Sequence, residues 1–408
     1  MRRSPVTPVG VGRPLASRSG HAVTAPLDGI VVVALEQAVA APFATRHLAD
    51  LGATVLKVER PEVGDFARAY DTKMSGQSTF FVWANRGKQS IVLDLKAPDD
   101  RATFDALIAG ADVFIQNLSP AAAERAGVLA EQLTSRHPKL ISCDISGYGL
   151  GGPRTDDKAY DLAIQAEAGA IAVTGSADEM SKVGFSVADI CSGMYAFSSI
   201  LTALYRRETT GEGAAISLSM LECLAEWTSV PIYSAVNTGV VPTRAGHRHA
   251  LIAPYGLYEL ADGSSVMVVV QANHEWASFA EHVLAEPSLI DDERFADNQD
   301  RIANIDELEA AIRAVFGTET PGEVIARLER GRIAWARART PIEVWEHEQL
   351  AARDRFMNVT VPGGEATMFK PPFNISGVPD PTPTVPALGE HDPATIAGLL
   401  DRADDGPR

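Results

Sequence analysis

Short β-branched runs alternate with helical stretches through the first part of this chain. Five runs are predicted to be strands: Ile30–Leu35, Ala53–Val58, Ser90–Leu95, Asp112–Gln116 and Leu140–Ile145. Helices are predicted between them at Pro42–Leu51, Asp99–Ala109 and Pro120–Ala126. This alternation favours an α/β fold, a doubly wound, Rossmann-like parallel sheet with helices on both faces. Ligands bind such sheets beyond the carboxyl ends of the strands, where this chain carries Glu36–Gln37, Glu59–Arg60, Asn117 and Ser146–Gly149.

The pattern changes after the last of these strands. A long helix rich in small apolar residues is predicted from Ala188 to Arg207. A hairpin with an Asp-Gly turn follows, with strands at Tyr255–Leu260 and Val266–Val270. We therefore predict a flexible extension at 1–26, a large α/β domain at 27–229 and a small α+β domain at 230–339. The remaining segment, 340–408, is expected to return to the large domain or to a partner subunit.

Composition limits the partners of the chain. It has 36 Lys and Arg against 53 Asp and Glu, a formal net charge of −17, which disfavours nucleic acids and anionic membranes as partners. No apolar run approaches the roughly 20 residues that cross a bilayer. Cys143, Cys191 and Cys223 lack paired spacing, which predicts a reducing compartment and no metal site.

Residues 1–26 contain four arginines and no acidic residue, but lack the apolar core of a secretory signal. A transit peptide shares this basic composition, although Pro5, Pro8 and Pro14 oppose the amphipathic helix that such peptides form. We expect a cytoplasmic enzyme, with the mitochondrial matrix as the alternative if this segment is a transit peptide.

Several segments form an ordered set of motifs. They are Leu27–Leu35 with Ala40–Pro42, Leu51–Arg60, Gly64–Asp65, Asn85–Leu95, Gln116–Leu118, Ser146–Gly149, Ala159–Leu162, Ala188–Asp189 and Thr210–Gly213. With these motifs in this order, the chain resembles the family III CoA-transferases. That family includes formyl-CoA:oxalate, carnitine and dicarboxylate CoA-transferases and the α-methylacyl-CoA racemases. The amino-acid sequences of these motifs are most similar to those of the dicarboxylate branch. The resemblance implies an interlocked homodimer that uses coenzyme A as a co-substrate and has no tightly bound cofactor.

Asp189 is the candidate nucleophile. By position alone, an aspartate ahead of a long helix is an ordinary N-cap residue. The resemblance implies that its carboxylate attacks an acyl-CoA, and a helix N-terminus would stabilise the ionised form. The implied reaction passes through a mixed anhydride and an aspartyl-CoA thioester, from which water must be excluded.

Tyr160 and Asp161 complete the catalytic set that the resemblance implies. The related racemases carry His-Asp here, and the histidine is their general base. A tyrosine, with an ordinary pKa of about 10, is a poor base at neutral pH. We therefore expect Tyr160 to position the substrate or the CoA sulfur, with a buried structural tyrosine as the alternative.

The resemblance also implies a CoA site, formed by Val39, Arg60, Lys88, Asn117, Leu118, Arg125 and Lys158. Arg60 at a strand end and Lys88 in the loop before a strand are expected to pair with nucleotide phosphates, and Arg125 to reach the adenosine end. Ordinary surface ion pairs are the alternative for these cations. Val39 stands where oxalate-specific relatives carry glutamine, which disfavours oxalate as an acceptor.

The segment Arg244–His249 resembles the mobile loop that closes over the active site in this family. Its cationic residues Arg244, His247, Arg248 and His249 suit a substrate with a second carboxylate. A metal on its His-x-His spacing is disfavoured, because no acid or cysteine lies nearby. Gln271, Asn273 and Trp276 are expected to line the cleft between the domains, with ordinary helix capping as the alternative for Asn273.

These observations favour an enzyme that moves CoA from an acyl-CoA, with succinyl-CoA the expected donor, to a short dicarboxylic acid such as itaconate, mesaconate, malate or citramalate. Three alternatives remain. CoA could move between the two carboxylates of one molecule such as mesaconyl-CoA, the chain could be an α-methylacyl-CoA racemase, or it could be a catalytically silent CoA-binding protein.

Overall fold

The computed structural model describes residues 25–381 and 384–392. Its largest sheet contains β1 (Val31–Leu35), β2 (Thr54–Glu59), β3 (Lys88–Val92), β4 (Val113–Gln116), β5 (Ile141–Ser146) and β6 (Ala214–Ser219). All neighbours pair in parallel, in the order β3-β2-β1-β4-β5-β6. The chain winds outward first on one side of β1 and then on the other, so the switch point lies between β1 and β4. The predicted doubly wound sheet is confirmed.

Helices cover both faces of this sheet. They are α1 (Ala40–Asp50), α2 (Thr79–Asn85), α3 (Pro98–Ala109), α4 (Pro120–Ala126), α5 (Ala130–Arg136), α6 (Asp161–Glu167), α7 (Ala170–Val173), α8 (Val187–Thr210), α9 (Met220–Trp227) and α10 (Ser229–Thr238), with a short 3-10 helix at Phe66–Ala69. Successive residues of a strand point to opposite faces. Val32 and Ala34 accordingly join a core with α1 and α8, whereas Val33 joins a core with α3, α4 and α5.

The long helix α8 is the centre of one layer and packs along α1. Gly193 permits this close approach, because a Cβ atom there would lie 2.6 Å from the carbonyl oxygen of Ala40. By length and composition alone α8 could also cross a membrane, contrary to the expectation from the sequence. Since 56% of its most apolar stretch is buried within the fold, α8 has the character of a core helix.

A second core lies in the small antiparallel sheet and its helices. The strands are β7 (Tyr255–Glu259), β8 (Ser265–Val269) and β9 (Ala334–Arg337). The helices are α11 (Asn273–Ser278), α12 (Asn298–Ala303), α13 (Ile305–Phe316) and α14 (Pro321–Arg330), with a π-helix at Phe279–Val283 and a 3-10 helix at Pro287–Ile290. Val266 and Val268 pack on Ile312 and Leu328 in this core. The predicted hairpin is confirmed.

The C-terminal part returns to the parallel sheet of the same chain. It contains α15 (Pro341–Trp345), α16 (Glu348–Ala352) and the hairpin of β10 (Phe356–Val361) and β11 (Gly364–Phe369). The hairpin packs on Phe81 and Val82 of α2. His391 then donates its backbone N–H to the carbonyl oxygen of Ser90 in β3. The domain boundaries after residues 26, 229 and 339 stay predictions, and residues 1–24 of the predicted extension lie outside the described residues.

Candidate active site

Side chains that follow two other strands hold the loop between β1 and α1 in place at the switch point. Asn117, just after β4, accepts a hydrogen bond from the backbone N–H of Gln37 at 3.0 Å and donates one to its carbonyl oxygen at 2.8 Å. Asp65, beyond β2, accepts from the N–H of Ala38 at 3.0 Å. Ala38 has a φ of 61°, a strained conformation for a residue with a side chain, and Asp65 helps to hold it. Val39, the next residue, is buried and is the N-cap residue of α1.

Beneath this loop lies a buried network of ion pairs. The ammonium of Lys57 contacts Asp65 at 2.9 Å and Glu36 at 3.4 Å, and that of Lys88 contacts Glu36 at 2.6 Å. All four side chains are buried, so removal of any one would leave a charge without its partner. Burial is the largest influence on Lys88 and lowers its pKa to about 7.

The sequence prediction for Lys88 is wrong in one respect. Lys88 is the first residue of β3, not a loop residue, because β3 begins and ends two or three residues earlier than predicted. Its ammonium also contacts Pro42 O and Asn85 Oδ1 and has no exposed surface. Contact between Lys88 and a CoA phosphate would therefore require this network to open.

Asp189 lies in the first turn of α8, at its third position, rather than at the N-cap. Ser186 is the N-cap residue and makes no capping hydrogen bond with its side chain. The carboxylate of Asp161, at the start of α6, caps the helix instead. Its Oδ1 accepts from the backbone N–H groups of Ala188 at 2.8 Å and Asp189 at 3.3 Å. The side chain of Asp189 is thereby left free of the capping role that its sequence position suggested.

Burial, the larger cause, and the neighbouring charge of Asp161 together raise the pKa of Asp189 to about 7. The two effects outweigh the stabilisation that a helix N-terminus gives to a carboxylate. A carboxylate that ionises near neutral pH in a partly buried site is a functional-site candidate. It retains basicity and nucleophilicity that a fully solvated aspartate lacks.

Two tyrosines lie on the same edge as Asp189. Tyr160 precedes α6 and is 70% exposed, which excludes the alternative of a buried structural tyrosine in the isolated chain. Tyr70, after the 3-10 helix at Phe66–Ala69, was missed by sequence reasoning. Burial, Asp65, Asp189 and Tyr160, in that order, raise the pKa of Tyr70, so its hydroxyl interacts electrostatically with the candidate nucleophile. Tyr70 belongs to no sequence motif, and only the tertiary fold shows its interaction with Asp189.

The carboxyl ends of β1 and β2 enclose a small cavity of about 60 Å³. Arg60 and Leu118 line it, together with Glu36, Gln37 and Asp65. Arg60 is exposed, and among the described residues its guanidinium donates only to the carbonyl oxygen of Gly64, at 3.3 Å. This pair of predicted CoA residues is thus brought together by the fold at the switch point.

Arg125 and Lys158 are exposed, the first on the last turn of α4 and the second before Tyr160. Neither has an ion-pair partner among the described residues closer than 4.0 Å. Both are therefore available to an anionic ligand at the surface, as their assignment to the CoA site requires.

The cationic loop is tied to the segment that leads to Asp189. Arg244 donates to the backbone carbonyl oxygens of Ser176 and Ala177, each at 2.7 Å, and the N–H of Gly246 donates to that of Gly175. A cavity of about 230 Å³ lies behind the loop. The cationic loop is thus hydrogen-bonded to the segment between α7 and α8.

The other cations of the loop differ in availability. Arg248 and His247 face Glu309 of α13 at 3.4 Å and 3.7 Å. His249 stacks on Tyr255, with ring centroids 5.1 Å apart. Arg248 lines the cavity with His249, so part of the loop's charge is neutralised internally and part faces the cavity.

Of the three residues predicted to line the cleft between the domains, one is misassigned. Trp276 is 1% exposed and belongs to the core of the small sheet, where Arg301 lies over its ring. Asn273 accepts from Arg301 at 3.0 Å. Gln271 is exposed at the end of β8 and remains a candidate substrate contact.

Comparison with known proteins identifies the architecture. The model of CoA-transferase family III matches residues 27–392, nearly the whole described chain. The chain belongs to this family. It is therefore a CoA-transferase enzyme, and CoA-transferases take a CoA thioester as their co-substrate.

Relatives with assigned activities align along almost their full length. An acetyl-CoA:oxalate CoA-transferase of Acetobacter aceti is 35% identical, over 90% of this chain and 94% of the relative. A succinate–glutarate CoA-transferase of Agrobacterium fabrum is 32% identical, over 92% and 96%. A succinyl-CoA:mesaconate CoA-transferase of Haloarcula hispanica is 32% identical, over 93% and 97%. The crystal structure of a CaiB/BaiF family protein from Brucella suis superposes with a TM-score of 0.80 at 30% identity, covering 92% of this chain and all of that one.

Proposed function

We propose that this family III CoA-transferase moves CoA from succinyl-CoA to a short dicarboxylic acid, with Asp189 as the covalent nucleophile. The observation that carries the proposal is the environment of Asp189. Its carboxylate lies in the first turn of α8, is not engaged in capping, and ionises near neutral pH. Tyr70 interacts electrostatically with it, and Tyr160 immediately precedes Asp161, which caps α8.

The proposed reaction conserves the thioester bond through four steps. Ionised Asp189 attacks the acyl carbon of succinyl-CoA, which gives a mixed anhydride and CoA thiolate. The thiolate attacks the aspartyl carbonyl carbon, which releases succinate and leaves an aspartyl-CoA thioester. The acceptor carboxylate then attacks this thioester to form a second anhydride, and the returning thiolate yields the new acyl-CoA and free Asp189. Exclusion of water protects both intermediates.

The role proposed for Tyr160 is to orient the acyl group or the sulfur through its exposed hydroxyl. Cavity residues Arg60 and Leu118 are proposed to bind CoA at the switch point, together with the exposed Arg125 and Lys158. A guanidinium is well suited to a phosphate because it donates two parallel hydrogen bonds.

A dicarboxylate acceptor is supported by two observations. The relatives above are named for oxalate, glutarate and mesaconate, all of which are dicarboxylates. The loop that reaches the segment ahead of Asp189 contains Arg244, His247, Arg248 and His249, which would pair with a second carboxylate. Since one relative is named for oxalate, that acid has to be tested beside the larger ones, even though Val39 disfavours it.

The test is to trap the covalent intermediate. Purified enzyme is incubated with succinyl-CoA, treated with hydroxylamine or borohydride, and the modified residue is located by mass spectrometry. We expect the adduct at Asp189, and Asp189→Asn to lose it together with about 10³-fold or more of the turnover rate. Asp178→Asn, which removes an exposed carboxylate from the same segment, should retain both. An adduct at another residue, or none with any acyl-CoA, contradicts the proposal.

The same preparation separates the alternative reactions. Itaconate, mesaconate, malate, citramalate, glutarate and oxalate are offered as acceptors, with butyrate as a monocarboxylate control. Turnover of mesaconyl-CoA without any free acid would identify intramolecular transfer. Incorporation of deuterium at the α-carbon, with no acceptor present, would identify racemisation, which Tyr160 disfavours.

We also propose that the chain pairs with a second copy of itself. Its support is an apolar surface on α9 and α10: Trp227, Val230, Tyr233 and Val236 are 51%, 66%, 59% and 77% exposed. No residue of α10 is buried, although the helix is mostly apolar. A surface of this kind on one chain is typical of a protein–protein interface. The interlocked arrangement implied by the family resemblance stays a prediction.

A further inference from the structure

Gln165 is a buried amide one turn after Asp161 on α6, with 1% of its surface exposed. Its Nε2 donates to Oδ2 of Asp161 at 2.7 Å and to the carbonyl oxygen of Phe185 at 3.3 Å. Its Oε1 accepts from the backbone N–H of Val183 at 2.9 Å. One orientation of the amide satisfies all three groups, whereas the flipped orientation would set donor against donor and acceptor against acceptor.

These bonds divide the carboxylate of Asp161 between two tasks. Oδ1 accepts from the first turn of α8, and Oδ2 is held by Gln165. The carboxylate cannot rotate to leave the helix without breaking the bond to Gln165. The contacts with Val183 and Phe185 hold the chain that enters α8, so a single side chain fixes both the cap and the approach to the nucleophile.

We infer that Gln165 is a positioning residue for the transfer reaction, which acts through Asp161 to set the position of Asp189. This inference rests on the proposed role of Asp189 as the nucleophile. Because Gln165 is buried, we expect it to act through Asp161 and not by direct contact with the substrate. Covalent steps are sensitive to displacements of about 1 Å at the attacking atom, so loss of this clamp should slow formation of the thioester more than it weakens binding.

The hydrogen-bond pattern permits a reciprocal exchange as the test. Gln165→Glu keeps the acceptor for Val183 but sets a carboxylate against Oδ2 of Asp161. Asp161→Asn sets an amide NH₂ either against the donor of Gln165 or against the N–H groups of α8. In the double variant D161N/Q165E, the asparagine NH₂ donates to the glutamate while its oxygen still accepts from α8. The pair is thereby restored with donor and acceptor reversed.

We expect each single variant to lower the single-turnover rate of adduct formation at Asp189 by about 10- to 100-fold, with KM for succinyl-CoA changed less than about threefold. The double variant should recover about tenfold over either single variant. Recovery should be incomplete, because the Phe185 carbonyl oxygen then lacks its donor. Thermal unfolding of all four proteins establishes that each is folded. If Q165E is insoluble, Gln165→Met replaces it and should give the same loss of rate at unchanged KM.

Three results would overturn the inference: a rate for Q165E within twofold of wild type, strictly additive losses in the double variant, or a KM that rises as far as the rate falls. The proposed function is judged separately, by the wild-type enzyme. A wild-type adduct at Asp189 with an unaffected Q165E removes only the role of Gln165. Absence of any wild-type adduct removes the proposed function and this inference with it.

Discussion

Asp189 and Asp161 show how two neighbouring carboxylates acquire different roles. Asp161 accepts two N–H groups from α8 and a donor from Gln165, so its charge is stabilised by hydrogen bonds. Within the described part of the chain Asp189 has no such donors, and burial together with the charge of Asp161 raises its pKa to about 7. Enzymes commonly assign roles to paired carboxylates through such differences in environment.

The pH dependence of the reaction follows from this arrangement. Only ionised Asp189 can attack, so the single-turnover rate at saturating succinyl-CoA should rise with pH around a midpoint near 7. Asp161→Asn removes a neighbouring negative charge and should lower the midpoint by roughly one pH unit, beside its loss of maximal rate. Burial, the larger cause, persists in this variant, so the midpoint should stay above that of a solvated aspartate. A midpoint that is unchanged or higher in D161N would show that Asp161 does not act on Asp189 electrostatically.

At the scale of elements, the position of Asp189, the proposed nucleophile, depends on the contact between α1 and α8. Gly193 lies one turn after Asp189, and its missing side chain lets Ala40 and Phe43 of α1 approach. The strained residue Ala38 and the start of α1 are held at the switch point by Asp65 and Asn117. The contact between the N-terminal parts of α1 and α8 therefore connects the proposed nucleophile with the carboxyl edge of the parallel sheet, where CoA is proposed to bind.

Substitution of Gly193 tests this contact. Gly193→Ala would bring Cβ within 2.6 Å of Ala40 O and 3.0 Å of the Phe43 ring, which forces the helices apart. Gly322→Ala in α14 is the matched control, since nothing lies within 4 Å of its added Cβ. Helix propensity favours alanine by about 1 kcal/mol in either helix. We expect the free energy of unfolding of G193A to fall about 1–3 kcal/mol below that of G322A in urea denaturation. Equal stabilities would show that α8 adjusts without cost.

At the scale of the whole molecule, the isolated chain leaves an apolar face uncovered. Val230, Tyr233 and Val236 are spaced three residues apart on α10 and so share one side of the helix. Val240 and Val241, just after the helix, are 67% and 79% exposed and extend this surface. A second copy of the chain would bury it.

A charge at the centre of this face should weaken the association. Val236→Asp is expected to shift the protein from dimer toward monomer in sedimentation velocity at micromolar concentration, because an unpaired carboxylate is costly to bury. Ala102→Asp adds the same charge at an exposed position of α3 and should leave the association unchanged. A V236D protein that remains dimeric to the same extent would show that the partner chain does not cover α10.

The sequence by itself determined the class of fold and the candidate residues of the site. Alternating β-branched and helical runs predicted the parallel sheet, because a strand buried on both faces needs a continuous apolar run. The ordered motifs that the chain shares with its family pointed to Asp189, Asp161 and Arg60 as candidate site residues. The hairpin of β7 and β8 was predicted from its Asp-Gly turn, because the residues of a turn determine its local conformation.

Tertiary structure decided which of these side chains are available and what each one does. Lys88 was expected at a phosphate, but Glu36 lies 52 residues away in the chain, and only the fold brings them into a buried pair. Trp276 was expected in a cleft and lies in a core, because periodicity does not distinguish a cleft from a core. Position alone suggested that Asp189 caps its own helix, yet Asp161 caps it from 28 residues away. Sequence records local preference and residue chemistry, whereas partners, burial and the resulting pKa of Asp189 arise from contacts between distant segments.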